Sequence, residues 1–415
     1  MSDADVIIAG AGMAGTTLAL ALASGGLSSI LIDPAAFESQ LAESFDGRAS
    51  AISFSAFRQW RAVGAARFLE DGAQRIEQIL VTDGRAAGAS APGAHSAFIR
   101  FDSAEIAGRT DGEPLGYMLE NRRIRAGLAQ AVGETAAITV MAPARVARVE
   151  VTPSAAKVIL EDGQTLAAPL VVGAEGRGSV VRREAGIGTL GWGYGQTGVV
   201  ATVALETDHQ GVAYEYFLPA GPFAILPLIG KRASLVWTES DRHGAALKAV
   251  RPEAFDAFLK RRFGDFLGKL TVVGPRFTYP LALQLADRLT APRVALLGDA
   301  AHGVHPIAGQ GLNLGLKDAA ALAEVLVEAI RLGEDPGAPT VLERYARWRS
   351  LDNIGLALAT DVFTRLFSTD NTLVRAARDA GMAVVNRIGP ARRFFMQEAG
   401  GATGDLPRLL KGQAL

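Results

Sequence analysis

The first thirty-three residues constrain the chain more than any other stretch. DVIIAG, ending at Gly10, is a short apolar run of the kind that forms a buried strand. GAGMAG follows and sets Gly10, Gly12 and Gly15 at the spacing G-x-G-x-x-G, with Ala11, Met13 and Ala14 between them. TTLALALASGG then reads as a small-residue helix closed by glycines, and SSILID as a second strand ending in Asp33. Each glycine has its own task. Gly10 permits a tight turn, Gly12 lets a pyrophosphate approach the backbone, and Gly15 lets the helix pack closely on the strand. The helix N-terminus faces the phosphates, and Asp33 accepts a hydrogen bond from a ribose hydroxyl. Alone, the glycine pattern is weak. In this strand–turn–helix–strand–acid context it specifies a dinucleotide-binding α/β unit, without separating NAD from FAD.

That unit cannot be the whole protein. At 415 residues the chain is too long for one simple core, so two domains or an interleaved pair are expected. With 49% apolar and 20% charged residues and no low-complexity run, it is an ordered globular chain. A net charge of −1 gives no long-range attraction to nucleic acid, and no such partner is expected. The absence of cysteine excludes disulfides, thiolate metal sites, cysteine-ligated iron–sulfur clusters and a redox dithiol. Val6 to Ala23 is apolar enough to resemble a membrane span, but Asp3 and Asp5 precede it and the three glycines interrupt it. A cytoplasmic location is expected, either soluble or peripheral to the inner membrane.

Between about Gly188 and Leu285 the texture changes. TGVVATVALE, GVAYEYFLP, FAILPLIG and ASLVWTE read as strands of an antiparallel sheet. RVALLGDAAH (293–302) then returns as a buried strand, so the chain leaves the nucleotide-binding part and comes back. Helices are expected over 312–333, 339–367 and about 370–397. The expected division is a discontinuous nucleotide-binding domain (1–75, 109–187 and 286–335), a substrate domain (76–108 and 188–285) and a C-terminal helical region (336–415). GAEGRG (173–178) and GWGYGQ (191–196) do not repeat the glycine spacing, so one dinucleotide is built in.

The late stretch GDAAHGVHPIAGQGLNLGLKDAAALAEVL, Gly298 to Leu326, holds His302 and His305 close to Asp299 and invites a metal reading. A metal needs three or four ligands in good mutual geometry, which H-x-x-H on a loop does not supply, and none is expected. A structural loop with chance histidines does not need so many glycines. The remaining reading is a flavin bed. The strand delivers Asp299 at its C-terminal end, where ligands bind in open α/β sheets. There Asp299 would accept hydrogen bonds from a ribityl chain. The helix that starts near Asn313 would favour negative charge on a reduced ring.

Four stretches now align with one family: GAGMAG, DGRASAIS around Arg48, VVGAEGRGSVVR, and GDAAHGVHPIAGQGLNLGLKDA. Over nearly its whole length the chain resembles the class A FAD-dependent aromatic hydroxylases, the p-hydroxybenzoate hydroxylase-like superfamily. LGYMLENRRIRAGL, DHQGVAYEYFLPAGPFAILPL, RYARWRSLDN, FTRLFSTDN and ARRFFMQEAGGATGDLPRLLKG are similar to its ubiquinone-biosynthesis branch. The resemblance implies an α/β fold: a Rossmann-like FAD-binding domain interleaved with an antiparallel-sheet substrate domain, plus C-terminal helices. It implies that Gly10, Ala11, Gly12, Met13, Ala14 and Gly15 cradle the pyrophosphate and Asp33 holds the ribose. Arg48, Asn121 and Arg125 would contact the ribityl–pyrophosphate region, and Asp299 the ribityl chain. Pro306, Gly309, Gln310, Gly311, Leu312 and Asn313 would lie beside the isoalloxazine. Glu175-Gly176 stands where the family usually has Asp-Gly, a motif linked to FAD and to the nicotinamide donor, and this departure leaves the nicotinamide contact open.

The implied reaction is hydroxylation of a polyprenylated phenol or quinone precursor by dioxygen through a flavin hydroperoxide. The electrons would come from NAD(P)H or a protein donor. Val199, Val203, Phe217, Phe223, Leu226 and Trp237 are candidates for a prenyl tunnel, though any single one is more readily read as ordinary core. Tyr214, Tyr216, His209 and His305 are candidate polar contacts, and no catalytic base stands out. Two alternatives stay open: a monooxygenase of another small aromatic substrate, and a non-catalytic flavoprotein component of a biosynthetic complex. The C-terminal RRFF and RLLKG suit peripheral membrane contact or a ubiquinone-biosynthesis complex, and equally a packed helical cap. A flavin halogenase is disfavoured because Trp60, Trp192, Trp237 and Trp348 lie far apart in sequence.

Overall fold

The structure is a computed structural model that describes residues 2–42, 46–82, 98–105, 112–218, 220–264, 266–304, 311–350, 396, 400–401 and 404–415. Val6–Ala9 lies inside a parallel sheet, between Leu170–Gly173 and Ser29–Ile32. Val294–Leu296 and Ile138–Met141 flank these, and the short antiparallel Thr290–Ala291 closes one edge. VIIA, SILI and LVVG are buried throughout, because both faces of the sheet are covered. On one face the helices Met13–Ser24, Asn121–Gly133 and Gly311–Arg331 pack around Leu18, Leu22, Leu316 and Leu326. On the other lies a three-stranded meander, Val146–Val151, Ala156–Leu160 and Thr165–Ala168.

The second sheet has eight strands drawn from separate parts of the chain. Gln78–Thr82 and Phe98–Asp102 join Thr189–Leu205, Val212–Leu218, Gly221–Leu228, Arg232–Ser240 and Leu270–Ala286, with His302–Gly303 at the far edge. Alternation along these strands decides which side chains meet which layer. Val199, Val203, Phe223 and Trp237 pack with Phe255 and Leu259, beneath the helices Asp241–Ala249 and Pro252–Phe263. Four of the six tunnel candidates are therefore ordinary core on the helix-covered side, while Phe217 and Leu226 fall on the opposite face. Tyr214 and Tyr216 join the same helix-covered core. A third, small sheet of Ala49–Ser53, Gly116–Glu120 and Gln74–Ile76 lies against that opposite face through Ile76 and Met118.

Gly311–Arg331 forms a helix where 312–333 was expected, and residues 339–350 are helical. The rest of the helix expected over 339–367, and nearly all of that over 370–397, lie outside the described residues, as does RRFF. RLLKG is a short turn whose Leu409 and Leu410 are buried in the main core, so its apolar part is spent on packing. Among the described residues no helix is long and apolar enough to cross a membrane.

Candidate active site

The glycine turn shows three distinct reasons for its three glycines. Gly10 has φ +106°, and a Cβ there would sit 2.4 Å from the Ala174 carbonyl oxygen. A Cβ on Gly15 would come within 2.0 Å of the Gly10 carbonyl oxygen, which is the close helix–strand contact. Gly12 is different. It caps the helix Met13–Ser24 with φ −69°, and a Cβ there would meet nothing within 4 Å. The protein leaves open space in front of that residue, which is where a pyrophosphate needs to approach a helix N-terminus. Asp33 closes the turn. Its Oδ2 accepts from the Ala11 N–H at 2.8 Å and its Oδ1 from the Ala35 N–H at 2.9 Å. A carboxylate has about four lone-pair sites, so capacity for a ribose hydroxyl remains.

Beside this turn stands a hub that sequence reasoning missed. Asp46 is buried and accepts from Arg48 Nε at 2.9 Å, Arg48 Nη2 at 2.9 Å, Asn121 Nδ2 at 2.9 Å and Arg125 Nη2 at 3.2 Å. Burial by itself would raise its pKa; the hydrogen bonds and charge of Arg48, with Asn121, outweigh it and lower the value. Arg48 is half exposed, and its guanidinium lies 4.8 Å from the centre of the Tyr279 ring. Burial depresses its pKa, but Asp46 foremost, then Tyr279 and Asp299, raise it, so Asp299 is close enough for its charge to be felt. Asn121 is buried, with its Oδ1 taken by Ser50 Oγ at 2.6 Å, and so holds Asp46 from behind. Arg125 lies where both Asp46 and Asp33 favour its charged form, although burial dominates and lowers its pKa. The only sequence sign of the hub was an acid two residues before Arg48.

Asp299 follows the strand Val294–Leu296 in a single turn, Gly298–Ala300, and is exposed. The turn is held from below. Asp318, fully buried in the helix Gly311–Arg331, accepts from the Gly298 N–H at 3.1 Å, from His302 Nε2 at 2.5 Å and from Arg349 Nε at 2.8 Å. His302 thus becomes a buried ion partner, and its role in holding the turn is the finding that replaces the metal reading. Burial would lower its pKa, but Asp318 outweighs burial and raises it. Burial would raise that of Asp318, but His302 and Arg349 hold it far below the usual range. Among the described residues no group of three His, Asp or Glu could hold a metal ion. Asp318 went unnoticed because an acid inside an apolar helix has no local signature.

Asn313 ties the start of the same helix to another segment: its Oδ1 accepts from the Ser53 N–H and its Nδ2 donates to the Ala51 carbonyl, both at 2.9 Å. Gly311 and Leu312 open the helix beside it, whereas His305, Pro306, Gly309 and Gln310 lie outside the described residues. Glu175 has a local structural task. Its Oε2 accepts from Ser179 Oγ at 2.7 Å and from the Val181 N–H at 3.0 Å, capping the helix Val180–Glu184. Gly176 follows with φ +74°. His209, a candidate substrate contact, is instead buried in a turn: Nε2 lies 2.9 Å from the carbonyls of Leu228 and Gly230, and Nδ1 accepts from the Gly211 N–H.

An open approach at Gly12, a half-buried acid at Asp33, a cation at Arg48 and an exposed acid at Asp299 fit a dinucleotide carrying a ribityl chain. The comparisons agree. The family described as FAD binding domain matches residues 3–352. The ubiquinone hydroxylase UbiL of Rhodospirillum rubrum is 47% identical, over 99% of this chain and 94% of its own. The 3-demethoxyubiquinol 3-hydroxylase of Escherichia coli is 33% identical, over 95% of this chain and 98% of its own. Among solved structures, the p-nitrophenol 4-monooxygenase PnpA of Pseudomonas putida shares the fold with a TM-score of 0.78, at 19% identity, over 96% of this chain and 98% of that one.

Proposed function

The chain belongs to the FAD-binding-domain family and is a FAD-dependent aromatic-ring monooxygenase, and on that premise we propose that it hydroxylates the ring of a polyprenylated phenol on the route to ubiquinone. The observation that carries this reading is the 47% identity to a ubiquinone hydroxylase along almost the entire length of both chains. When bound, the flavin supplies the two-electron chemistry that splits dioxygen between the ring and water.

Gly10 to Gly15 receive the pyrophosphate at the helix N-terminus, and Asp33 takes a ribose hydroxyl. Asp46 fixes the guanidinium of Arg48 in a bidentate pair, so that it faces the cofactor in one orientation. Asn121 and Arg125 hold Asp46 in turn. Asp299 accepts from the ribityl chain, kept in place by the Asp318 network beneath it. Gly311 to Asn313 begin the helix whose N–H groups suit negative charge on the reduced ring, and Pro306, Gly309 and Gln310, just before it in sequence, are assigned to the same ring. Residues 1–75, 109–187 and 286–335 then form the cofactor domain, 76–108 and 188–285 the substrate domain, and 336–415 the C-terminal helical region. The two sheets support that division. The electrons come from NAD(P)H or a protein donor. The engagement of Glu175 with Ser179 and Val181 supports a nicotinamide contact that bypasses its carboxylate. Peripheral contact with the inner membrane, or with a ubiquinone-biosynthesis complex, accords with an apolar substrate.

The test is direct. Purified protein is expected to be yellow and to release FAD on denaturation. Reduced, then mixed with isotopically labelled dioxygen and a short-chain prenylated phenol, it should place one labelled oxygen on the ring. Colourless protein that takes up no FAD, or peroxide as the sole product, would sink the reading.

A further inference from the structure

Glu215 is a carboxyl in an unusual place. It lies on the strand Val212–Leu218, whose Tyr214, Tyr216 and Leu218 point into the helix-covered core. Glu215 therefore faces the other way. Its cross-strand neighbours on that face are Ala224 and Val81, and the row continues through Val236 and Val200 to Phe277. Phe277 covers Gly47, where a Cβ would meet its ring at 1.9 Å. In the next row Tyr279 points its hydroxyl at Asp46 Oδ1, 3.4 Å away. The face that carries Glu215 is thus the face that roofs the Asp46–Arg48 loop.

On this face polar groups lack partners. Glu215 has no hydrogen-bond or ion-pair partner among the described residues, and the residue keeps some accessible surface while its carboxyl is set deep among protein atoms. Ser234 Oγ and Thr238 Oγ1, on a strand of the same sheet and turned to the same face, are buried and also without a partner. Buried polar groups are nearly always satisfied, so three unsatisfied on one face mark a place where a ligand supplies the partners. Burial alone pushes the pKa of Glu215 up to about 7, and no charged neighbour contributes. The charged and titratable groups on this face stand at its edges: Asp46, Arg48 and Tyr279 at one, Arg232 paired with Glu120 at the other.

We propose that Glu215 binds the phenolic hydroxyl of the substrate and takes its proton as the ring is hydroxylated. The assignment rests on the reading of the chain as a phenol hydroxylase. As the ring carbon bonds to the oxygen atom that dioxygen and the reduced cofactor deliver, the phenolic O–H bond breaks and its proton passes to the carboxylate. When the ring regains aromaticity, the hydroxylated carbon loses its proton to water and Glu215 returns one to the original oxygen. Dioxygen takes two electrons from the reduced cofactor and two from the ring, whose C–H becomes C–OH while the second oxygen leaves as water, and Glu215 is unchanged at the end.

The experiment compares wild type and Glu215→Gln holoprotein in single turnovers with a short-chain prenylated phenol. The variant is expected to hold its full complement of FAD and to melt no lower than wild type. Its hydroxylation rate should fall about 100-fold or more, the range of general-base catalysis. The wild-type rate should rise with pH through neutrality, and the variant's should be flat. A variant with full FAD, a near-wild-type rate and the same pH profile would overturn the assignment. So would a marked loss of stability or of FAD, which would make the side chain structural. If wild type itself reduces oxygen without hydroxylating any prenylated phenol, the underlying reading fails and this proposal with it.

Discussion

The two sides of the site are built on opposite rules. At the nucleotide side three carboxylates are already engaged: Asp33 by Ala11 and Ala35, Asp46 by Arg48, Asn121 and Arg125, Asp318 by Gly298, His302 and Arg349. At the roof, Glu215, Ser234 and Thr238 have no partners. The first side holds a cofactor that stays, so its geometry is set before binding. The second receives a substrate that leaves, and keeps hydrogen-bonding capacity in reserve at a cost in stability.

The largest expected effect comes from breaking the carboxylate networks of the nucleotide side. Asp318→Asn removes the buried counter-charge that His302 and Arg349 share and should cost about 3–5 kcal/mol, read from urea unfolding of the FAD-free protein. A loss under about 1 kcal/mol would show that the network carries little. Gly12→Ala separates folding from binding. The turn has room for the methyl, so the FAD-free protein should unfold within about 0.5 kcal/mol of wild type. Its FAD affinity should drop by about 100-fold, or roughly 2.7 kcal/mol. Equal FAD affinity would mean that the open space at Gly12 is not the pyrophosphate approach.

On the roof the sign reverses. Ser234→Ala and Thr238→Val each remove an unpartnered buried hydroxyl and should stabilise by about 1 kcal/mol, with weaker substrate binding. Destabilisation of both would contradict the reserve. The smallest effect is in pH. Both Glu215 and His302 have folded-state pKa values raised above their ordinary values. The native state therefore binds more protons than the unfolded one. The stability each adds is fully present below its unfolded pKa and is lost as pH rises through its folded pKa. The urea midpoint should decline as pH rises from about 4.5 to about 7 on account of Glu215 and from about 6.5 upward on account of His302, and Glu215→Gln should remove the lower part of that decline.

How much of this was legible in the sequence follows from the same contrast. The Gly10–Gly15 turn, Asp33 and Asp299 could be read because a turn, a strand end and a helix start are local events with fixed spacing. Asp46 and Asp318 could not, since their meaning lies in partners such as Arg125 and Arg349, far off in the chain. For the second sheet, alternation gave two faces but not which one the helices Asp241–Ala249 and Pro252–Phe263 would cover. Val199 and Trp237 could therefore be read as tunnel or as core, and Glu215, one residue from two tyrosines, passed unnoticed.

The bridge from Asn313 to Ser53 joins residues 260 positions apart. The strand that precedes Asp299 and the helix that carries Asp318 enter the fold only after seven of the eight strands of the second sheet have been made. On a ribosome, the N-terminal glycine turn therefore emerges long before the segments that complete the pocket. FAD loading becomes a late event of biogenesis, and a chain cut short before residue 294 would carry the nucleotide signature yet lack the parallel strand Val294–Leu296 and the carboxylate beyond it.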